Sequence, residues 1–410
     1  MKLLVVSQYY HPEPFRITDI CEELVKRGHA VDVLTSLPNI PGGRFYEGYG
    51  WFKKGEKQHN GVGIERVRVI RRGKGGAVRL VLNCASFAVN SLFHIGKLSK
   101  NGYDAVFTFN NSPITKLIPA NRFAKKNKIP NIVFLLDIWP QSMLFLLGIK
   151  DTGKRGFIKK AAYRFCRNLY NKANLILISS KGFTAKLREM GVNVRTSYFP
   201  NYAEEFKSAD DAAAKELVLP EESFIVGFFG NVGKAQALER TVEISKKMGK
   251  KLHWLIVGDG GSLQMLKDTA AENSVINSYT FTGRVAPEEV NGYIKRCDAV
   301  FLPLEDHEVL NLTVPAKLQT YMYASKPVIA FLNGAGAEVV SEAECGVTAR
   351  AGDVEDLYRA ITEIMSVDEE RLLKMGENGR KYCEENFSRE KLIDKLIDEI
   401  EYEIERKTAK

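Results

Sequence analysis

Nowhere in this chain of 410 residues do 18 apolar residues run together. The nearest stretch, AVRLVLNCASFAVNSLFHIG, is interrupted by Arg79, Asn83, Asn90 and His94, so an ordinary membrane-spanning helix is not expected. The opening MKLLVVSQYY carries one lysine and a run too short for a secretion signal, and reads as a first strand. Paired cysteines are missing too. Cys21, Cys84, Cys166, Cys297, Cys345 and Cys383 lie far apart with no C-x-x-C pair, which leaves neither a disulfide framework nor a zinc site to expect and fits a reducing cytoplasm. Low-complexity tracts are absent. So are the G-x-G-x-x-G fingerprint, the Walker phosphate loop and any Asp-x-Asp pair, and no bound metal is expected.

What is present is ordinary in amount and unusual in distribution. Apolar residues make up 45% of the chain, enough for packed cores, and the length suggests two domains. Residues 1–202 hold 33 Lys and Arg against 12 Asp and Glu, whereas the remainder holds 26 against 38. The modest overall charge of +9 is therefore the sum of a basic half and an acidic half. A half so basic suits an anionic partner: nucleic acid, a phospholipid surface or a phosphorylated substrate. No nucleic-acid module or aromatic stacking platform accompanies the charge, so nucleic acid is not expected.

Short apolar runs alternate with helical patterns along both halves. KLLVVS, FRITDICEELVKRG and HAVDVLTS form a βαβ unit in which Ile17, Ile20, Cys21, Leu24 and Val25 share a helix face and Gly28 stands where a C-cap glycine belongs. A second series starts at FIVGFFG and runs through HWLIVGDGG, YTFTGRV, CDAVFLPL and KPVIAFL. The order predicts an α/β protein of two doubly wound, Rossmann-like domains with ligands at the carboxyl ends of the strands. The expected divisions are residues 1–202, a linker over 203–222, a second domain over 223–388, and a C-terminal helix over 389–410 packing across the domains.

The turn in FFGNVGKAQALE sits between an apolar strand and an amphipathic stretch, a layout that aims backbone N–H groups and a helix dipole at an anion. An ordinary strand-to-helix turn has the same appearance. The ordered set GNVGKAQALERTVE, WLIVGDGGSLQMLKDTA, FTGRVAPEEVNGYIKRCDAVFLPL and VPAKLQTYMYASKPVIA resembles the retaining two-domain (GT-B type) nucleotide-sugar glycosyltransferases. With QYYHPEPFRITDICEELVKRGHAVDVLTSLPN and LLDIWPQS, it looks like the fucosamine-transferase-like branch of O-antigen and colanic acid synthesis.

The resemblance implies a nucleotide site at Gly230, Asn231, Gly233, Lys234, Gln236, Arg284, Lys317 and Thr320, where cations and main-chain N–H groups meet the leaving diphosphate. It implies catalytic chemistry at Asp137, as a carboxylate that orients or deprotonates the acceptor hydroxyl, and at His11 and Glu13, which with Arg16 lie on a loop where family members contact donor or acceptor; a donor-sugar contact is left to Glu305 or Glu308. For each, a surface charge or a turn-forming role is the plain structural alternative. The chain departs from the common pattern at Asn231 and Gln236, where family members have Arg and Lys, and at Leu312 and Thr320, where they have glutamates. The implied partners are a UDP-sugar donor, a polyprenyl-linked acceptor and an anionic membrane surface, the last approached by the basic segment around Lys159, Lys160, Arg164 and Arg167 with its apolar stripe packed inward. A nucleotide-sugar 2-epimerase and a non-catalytic nucleotide-sugar binder are the other readings.

Overall fold

A computed structural model describes residues 1–40, 42–73, 76–146, 156–203 and 212–409. The chain divides into two compact units, one of Met1–Pro200 with Glu390–Lys410, the other of Asn201–Arg389.

The first unit holds strands β1 (Lys2–Val6), β2 (Ala30–Ser36), β3 (Gln58–His59), β4 (Val62–Val67), β5 (Ala105–Asn110), β6 (Asn131–Leu135), β7 (Leu175–Ile178) and β8 (Arg195–Tyr198). They lie in the order β3-β4-β2-β1-β5-β6-β7-β8, parallel except for the short β3 on the edge. Helices α1 (Ile17–Lys26), α2 (Ala77–Leu98), α3 (Leu117–Asn127), α4 (Gln141–Leu146), α5 (Gly156–Tyr170) and α6 (Gly182–Glu189) connect them. β1, β5, β6 and β7 are apolar on both faces because crossover helices cover both, the usual signature of a buried parallel strand. α1 buries Ile17, Ile20, Cys21 and Leu24 and stops at Gly28, whose φ of +86° suits glycine and whose N–H donates to the Val25 carbonyl.

The second unit holds α7 (Ala212–Glu216), α8 (Thr241–Met248), α9 (Leu263–Glu272), α10 (Val290–Lys295), α11 (Glu308–Asn311), α12 (Ala316–Tyr323), α13 (Ala335–Glu342), α14 (Val354–Met365) and α15 (Glu369–Asn386). They flank a six-stranded, wholly parallel sheet in the order β11-β10-β9-β12-β13-β14. These strands are β9 (Phe224–Phe229), β10 (Leu252–Val257), β11 (Tyr279–Gly283), β12 (Ala299–Pro303), β13 (Val328–Phe331) and β14 (Gly346–Ala349). β9 pairs with β10 on one side and β12 on the other, so the chain reverses its direction of winding there and leaves a crevice at the carboxyl ends.

Two expected divisions shift. The stretch expected as a linker is partly packed: Ala203 and Ala214 are buried in the core of the second unit, and Arg296 donates to the carbonyls of Ala214, Lys215 and Leu217. The first two carbonyls belong to the last turn of α7 and the third follows it, where a helix leaves its carbonyls without partners of its own, so one guanidinium caps the helix end. The C-terminal helix α16 (Arg389–Thr408), expected to pack across the domains, belongs with the first unit. Arg195 pairs with its Glu399 and its buried Glu403, Arg27 pairs with Asp394, and Leu392, Ile393, Leu396 and Ile400 are buried.

Candidate active site

In the second unit three strand ends are locked together by glycines. The Gly230 N–H, just after β9, donates to the Val257 carbonyl at the end of β10, and the Val232 N–H donates to Asp259. One strand further, the Gly258 N–H donates to Gly283 at the end of β11. The turns approach so closely that a Cβ on Gly258 would lie 1.9 Å from the Gly230 oxygen, and one on Gly260 would lie 2.2 Å from the Val232 oxygen. Gly230 and Gly258 also have φ of +123° and +146°, which side chains other than hydrogen rarely tolerate.

Beside this ridge lies a cavity of about 290 Å³ bordered by Gly230, Asn231, Gly258, Asp259, Arg284, Lys317, Thr320 and Tyr321, with Phe229, Val257, Val285 and Val290 supplying apolar wall. Arg284 reaches it from the turn after β11, and Lys317 and Thr320 from one face of α12. The positive end of that helix therefore carries a lysine into the same space. The buried Tyr321 hydroxyl accepts the Phe229 N–H at 3.1 Å and fixes the end of β9.

Lys317 is the unusual group. Its Nζ is buried, lies 3.8 Å from the centre of the Phe228 ring and has no hydrogen-bond partner among the described residues. Burial pushes its pKa down to about 7. A cation held against a ring face with no counter-ion is poorly solvated, and an anion entering the cavity would supply the missing partner.

The cavity thus gathers five of the residues expected for nucleotide binding: Gly230, Asn231, Arg284, Lys317 and Thr320. Gly233, Lys234 and Gln236 do not border it. Gln236 instead accepts the Gly233 N–H at 3.1 Å, closing a 3₁₀ turn over Lys234–Gln236. The expected helix directly after the glycine turn is displaced: a second 3₁₀ turn follows, with Ala237 at φ +45°, and α8 begins only at Thr241. Glu305 stands outside the cavity, its N–H on the Ala235 carbonyl and its carboxylate 3.5 Å from Arg240. The cavity also takes in Gly258, Asp259 and Tyr321, of which the GDGG turn marks the first two in sequence.

In the first unit, Asp137 follows β6 and its Oδ2 accepts the Ser112 N–H at 2.8 Å. Trp139 Nε1 donates to the Ser112 hydroxyl at 3.1 Å, so the ends of β5 and β6 are joined twice. Beneath them Lys116 is fully buried and donates to both oxygens of Asn111. Burial pushes its pKa down to about 7 against the pull of Asp137. The sequence signal for Lys116 was a lone lysine in the apolar run SPITKLIPA.

Glu13, expected to be catalytic, is only 2% exposed. Its Oε1 accepts the N–H groups of Asn39 and Ile40, both at 2.8 Å, so it anchors the loop after β2. Burial raises its pKa to about 7 despite those bonds. His11 lies 3.0 Å from Glu56 and stacks on His59 with ring centres 3.5 Å apart and planes 16° from parallel. Burial and His59 lower its pKa. His11, Glu56 and His59 have donor atoms close enough to share an ion, but rings stacked this way cannot both aim a nitrogen lone pair at one ion without rotating apart. Arg16 stands at the start of α1.

One pH prediction arises from Lys317. Burial holds the Lys317 pKa down at about 7, and an anion binds the ammonium form. Affinity for a nucleoside diphosphate should therefore be full below pH 7 and fall as pH rises above it, with proton uptake on binding at pH 8. Calorimetry in buffers of different ionisation enthalpy reads that uptake. Absence of any uptake contradicts contact between the ligand and Lys317.

Two family models match the chain: residues 15–202 match the glycosyl transferase 4-like domain, and residues 210–382 match glycosyl transferases group 1. The chain is similar to the putative colanic acid biosynthesis glycosyl transferase WcaI of Escherichia coli strain K12, with 27% identity over 68% of this chain and 71% of that one. It is 22% identical to the 2-deoxystreptamine glucosyltransferase of Streptomyces kanamyceticus over 53% of this chain and 58% of that one. Among solved structures, Anabaena Alr3699/HepE in complex with UDP and glucose has a TM-score of 0.68 at 16% identity, covering 98% of this chain and 100% of that one. Sucrose-phosphate synthase of Thermosynechococcus elongatus gives 0.69 at 16% identity, with 97% of each chain covered.

Proposed function

Because the chain belongs to the two-domain (GT-B type) glycosyltransferases of group 1, we propose that it moves a sugar from a UDP-sugar to a polyprenyl-diphosphate-linked saccharide during assembly of a bacterial surface polysaccharide, with retention at the anomeric carbon. An N-acetylated deoxyhexosamine is a candidate for the sugar moved. The similarity to the colanic acid protein supports the polysaccharide setting.

The observation that carries the reading is the cavity in which Arg284 and the unpartnered Lys317 face the glycine ridge. When the anomeric bond breaks, negative charge gathers on the departing diphosphate. Fixed cations in a poorly hydrated site stabilise that charge more than they stabilise the intact donor, which is the condition for rate acceleration. Lys317, whose Nζ is buried, serves that role, and Arg284, exposed at the cavity's edge, adds a second positive charge, so the reading calls for no metal at this site. Thr320 offers a hydroxyl for a polar contact, and the apolar wall of Val257, Val285 and Val290 receives the less polar part of the nucleotide. On the acceptor side Asp137 orients the attacking hydroxyl, and the leaving diphosphate takes its proton from the same face. The protein works as a peripheral enzyme on the inner face of the plasma membrane.

Incubating the purified chain with labelled UDP-sugars, with and without bacterial lipid extract, tests the proposal. Label appearing in lipid only when extract is present supports it. Isomerised nucleotide sugar without an acceptor identifies a 2-epimerase, and binding without turnover identifies a sensor. Asp137→Asn should reduce transfer about 100-fold, within the range for loss of an acid–base group, while UDP affinity by calorimetry stays within twofold. Equal loss of both makes Asp137 structural.

A further inference from the structure

α2 shows its solvent side as a continuous apolar stripe. Val78, Val81, Leu82, Val89 and Phe93 are all exposed, Val78 at 72% and Phe93 at 80%, and they recur at the three-, four- and seven-residue intervals that place them on one helix face. Between Arg79 and Lys97 the helix contains no lysine, arginine, aspartate or glutamate. The stripe runs about 22 Å from Val78 to Phe93 at the usual helical rise.

The stripe continues onto the segment before it. Phe52 is 92% exposed and Trp51 is half exposed. Trp51 Nε1 donates to the Val69 carbonyl, Arg68 donates to the Trp51 carbonyl, and Asn90 of α2 donates to the Arg68 carbonyl, so loop, strand end and helix form one surface. Its surroundings are basic: residues 44–97 hold eleven Lys and Arg against three glutamates, Lys53, Lys54, Arg68, Arg71 and Arg79 are exposed, and the Arg68 guanidinium lies 5.6 Å from the centre of the Phe52 ring.

A helix over Val78–Asn101 is long and apolar enough to cross a bilayer, yet its other side is built into the first unit. Phe87, Ile95 and Leu98 lie in the core there. Buried Asn83 accepts from Gln8 and donates to the Ile70 carbonyl, bonds a lipid environment could not replace. The helix can therefore present one face to lipid but cannot leave the fold to span it. α5, the segment expected to meet lipid, differs from its expected form: Cys166, Leu169 and Tyr170 are inward, but Phe157 and Phe165 are exposed, so its apolar residues are split between two faces.

We propose that α2 and the Trp51–Phe52 loop form a monotopic docking face for an anionic bilayer, with Phe93, Val81, Leu82 and Phe52 entering the headgroup boundary and the surrounding arginines and lysines meeting lipid phosphates. Aromatic and aliphatic side chains on one face with basic residues around them are the chemistry of in-plane membrane binding, and the excess of positive charge argues against a second copy of this same face as its partner. The proposal does not depend on the glycosyl-transfer reading, because its test uses no donor.

The test uses the full chain with 100-nm vesicles of phosphatidylcholine alone or mixed with phosphatidylglycerol. The parent protein is expected to sediment with the anionic vesicles, less so at 0.5 M than at 0.1 M salt, and its tryptophan emission should shift to shorter wavelength, a shift lost in Trp51→Phe. Val81→Asp with Phe93→Asp should weaken vesicle binding at least tenfold, and the milder Val81→Ser with Phe93→Ser should weaken it in the same direction. Both should retain the parent's thermal transition and far-ultraviolet circular dichroism, which separates lost docking from lost folding. Phe157→Ser with Phe165→Ser should retain vesicle binding. The proposal is overturned if the parent ignores anionic vesicles, if the α2 variants bind as well as the parent, or if light scattering shows a dimer that the α2 variants abolish.

Discussion

Replacing Lys317 by alanine is expected to cut turnover by about 100- to 1,000-fold, the range for removing one group that stabilises developing charge, while circular dichroism remains that of the parent. Two features make the effect large. The ammonium has no hydrogen-bond partner among the described residues, and the cavity wall around it is largely apolar, so water replaces its charge poorly. The same features predict an unusual consequence for stability. A buried, unpaired ammonium opposes folding, so Lys317→Met should melt at a higher temperature than the parent. Folding depresses the lysine pKa from 10.5 to about 7. The parent therefore carries its full penalty below pH 7, and the penalty shrinks as pH rises toward 10.5. The advantage of Lys317→Met should follow that course, greatest at pH 6 and nearly gone at pH 10. Gain of stability with loss of activity is the pattern of a residue kept for chemistry. A methionine variant with full activity would remove Lys317 from the site.

Gly258→Ala is expected to be the most damaging single-methyl change in the second unit. The added carbon would lie 1.9 Å from the Gly230 oxygen, main-chain atoms that cannot rotate away, at a φ of +146°. Relief requires the turns after β9 and β10 to part, which breaks the bonds from Gly230 to Val257 and from Gly258 to Gly283. Backbone strain alone costs about 1–3 kcal/mol, and with the lost bonds the total should exceed about 3 kcal/mol. For a unit of this size that corresponds to a fall of about 10 °C in melting temperature. Gly261→Ala is the matched control. It lies three residues on, has no atom within 4 Å of its Cβ position and needs no left-handed backbone, so its melting temperature should stay near the parent's. Similar losses in both variants would show that the region needs flexibility and not close approach.

The fold was readable in sequence where burial is two-sided. FIVGFF, HWLIV and AVFLP are apolar without alternation because helices cover both faces of their sheet. Gly28 marked the end of α1 because only a glycine accommodates that cap easily. What escaped reading depended on contacts far apart in sequence. Ala212–Glu216 carries no strand pattern and resembled a linker, yet Arg296, some eighty residues away, completes its helix end. α16 is amphipathic from any viewpoint, and only the Arg195 pairing shows which unit claims it. In the candidate site, the order of motifs picked out Gly230, Arg284 and Lys317, which the sheet topology brings together. It could not show that Ala237 would turn left-handed and delay α8. Nor could it show that Glu13 would spend its carboxylate on main-chain N–H groups. Both depend on local backbone geometry that composition leaves open.

A crystal structure of the full chain with UDP tests the central claim most directly. The diphosphate is expected beside the glycine ridge, with one oxygen within hydrogen-bond reach of Lys317 Nζ and another near the Arg284 guanidinium. UDP bound elsewhere, with Lys317 Nζ still facing only the Phe228 ring, would contradict it.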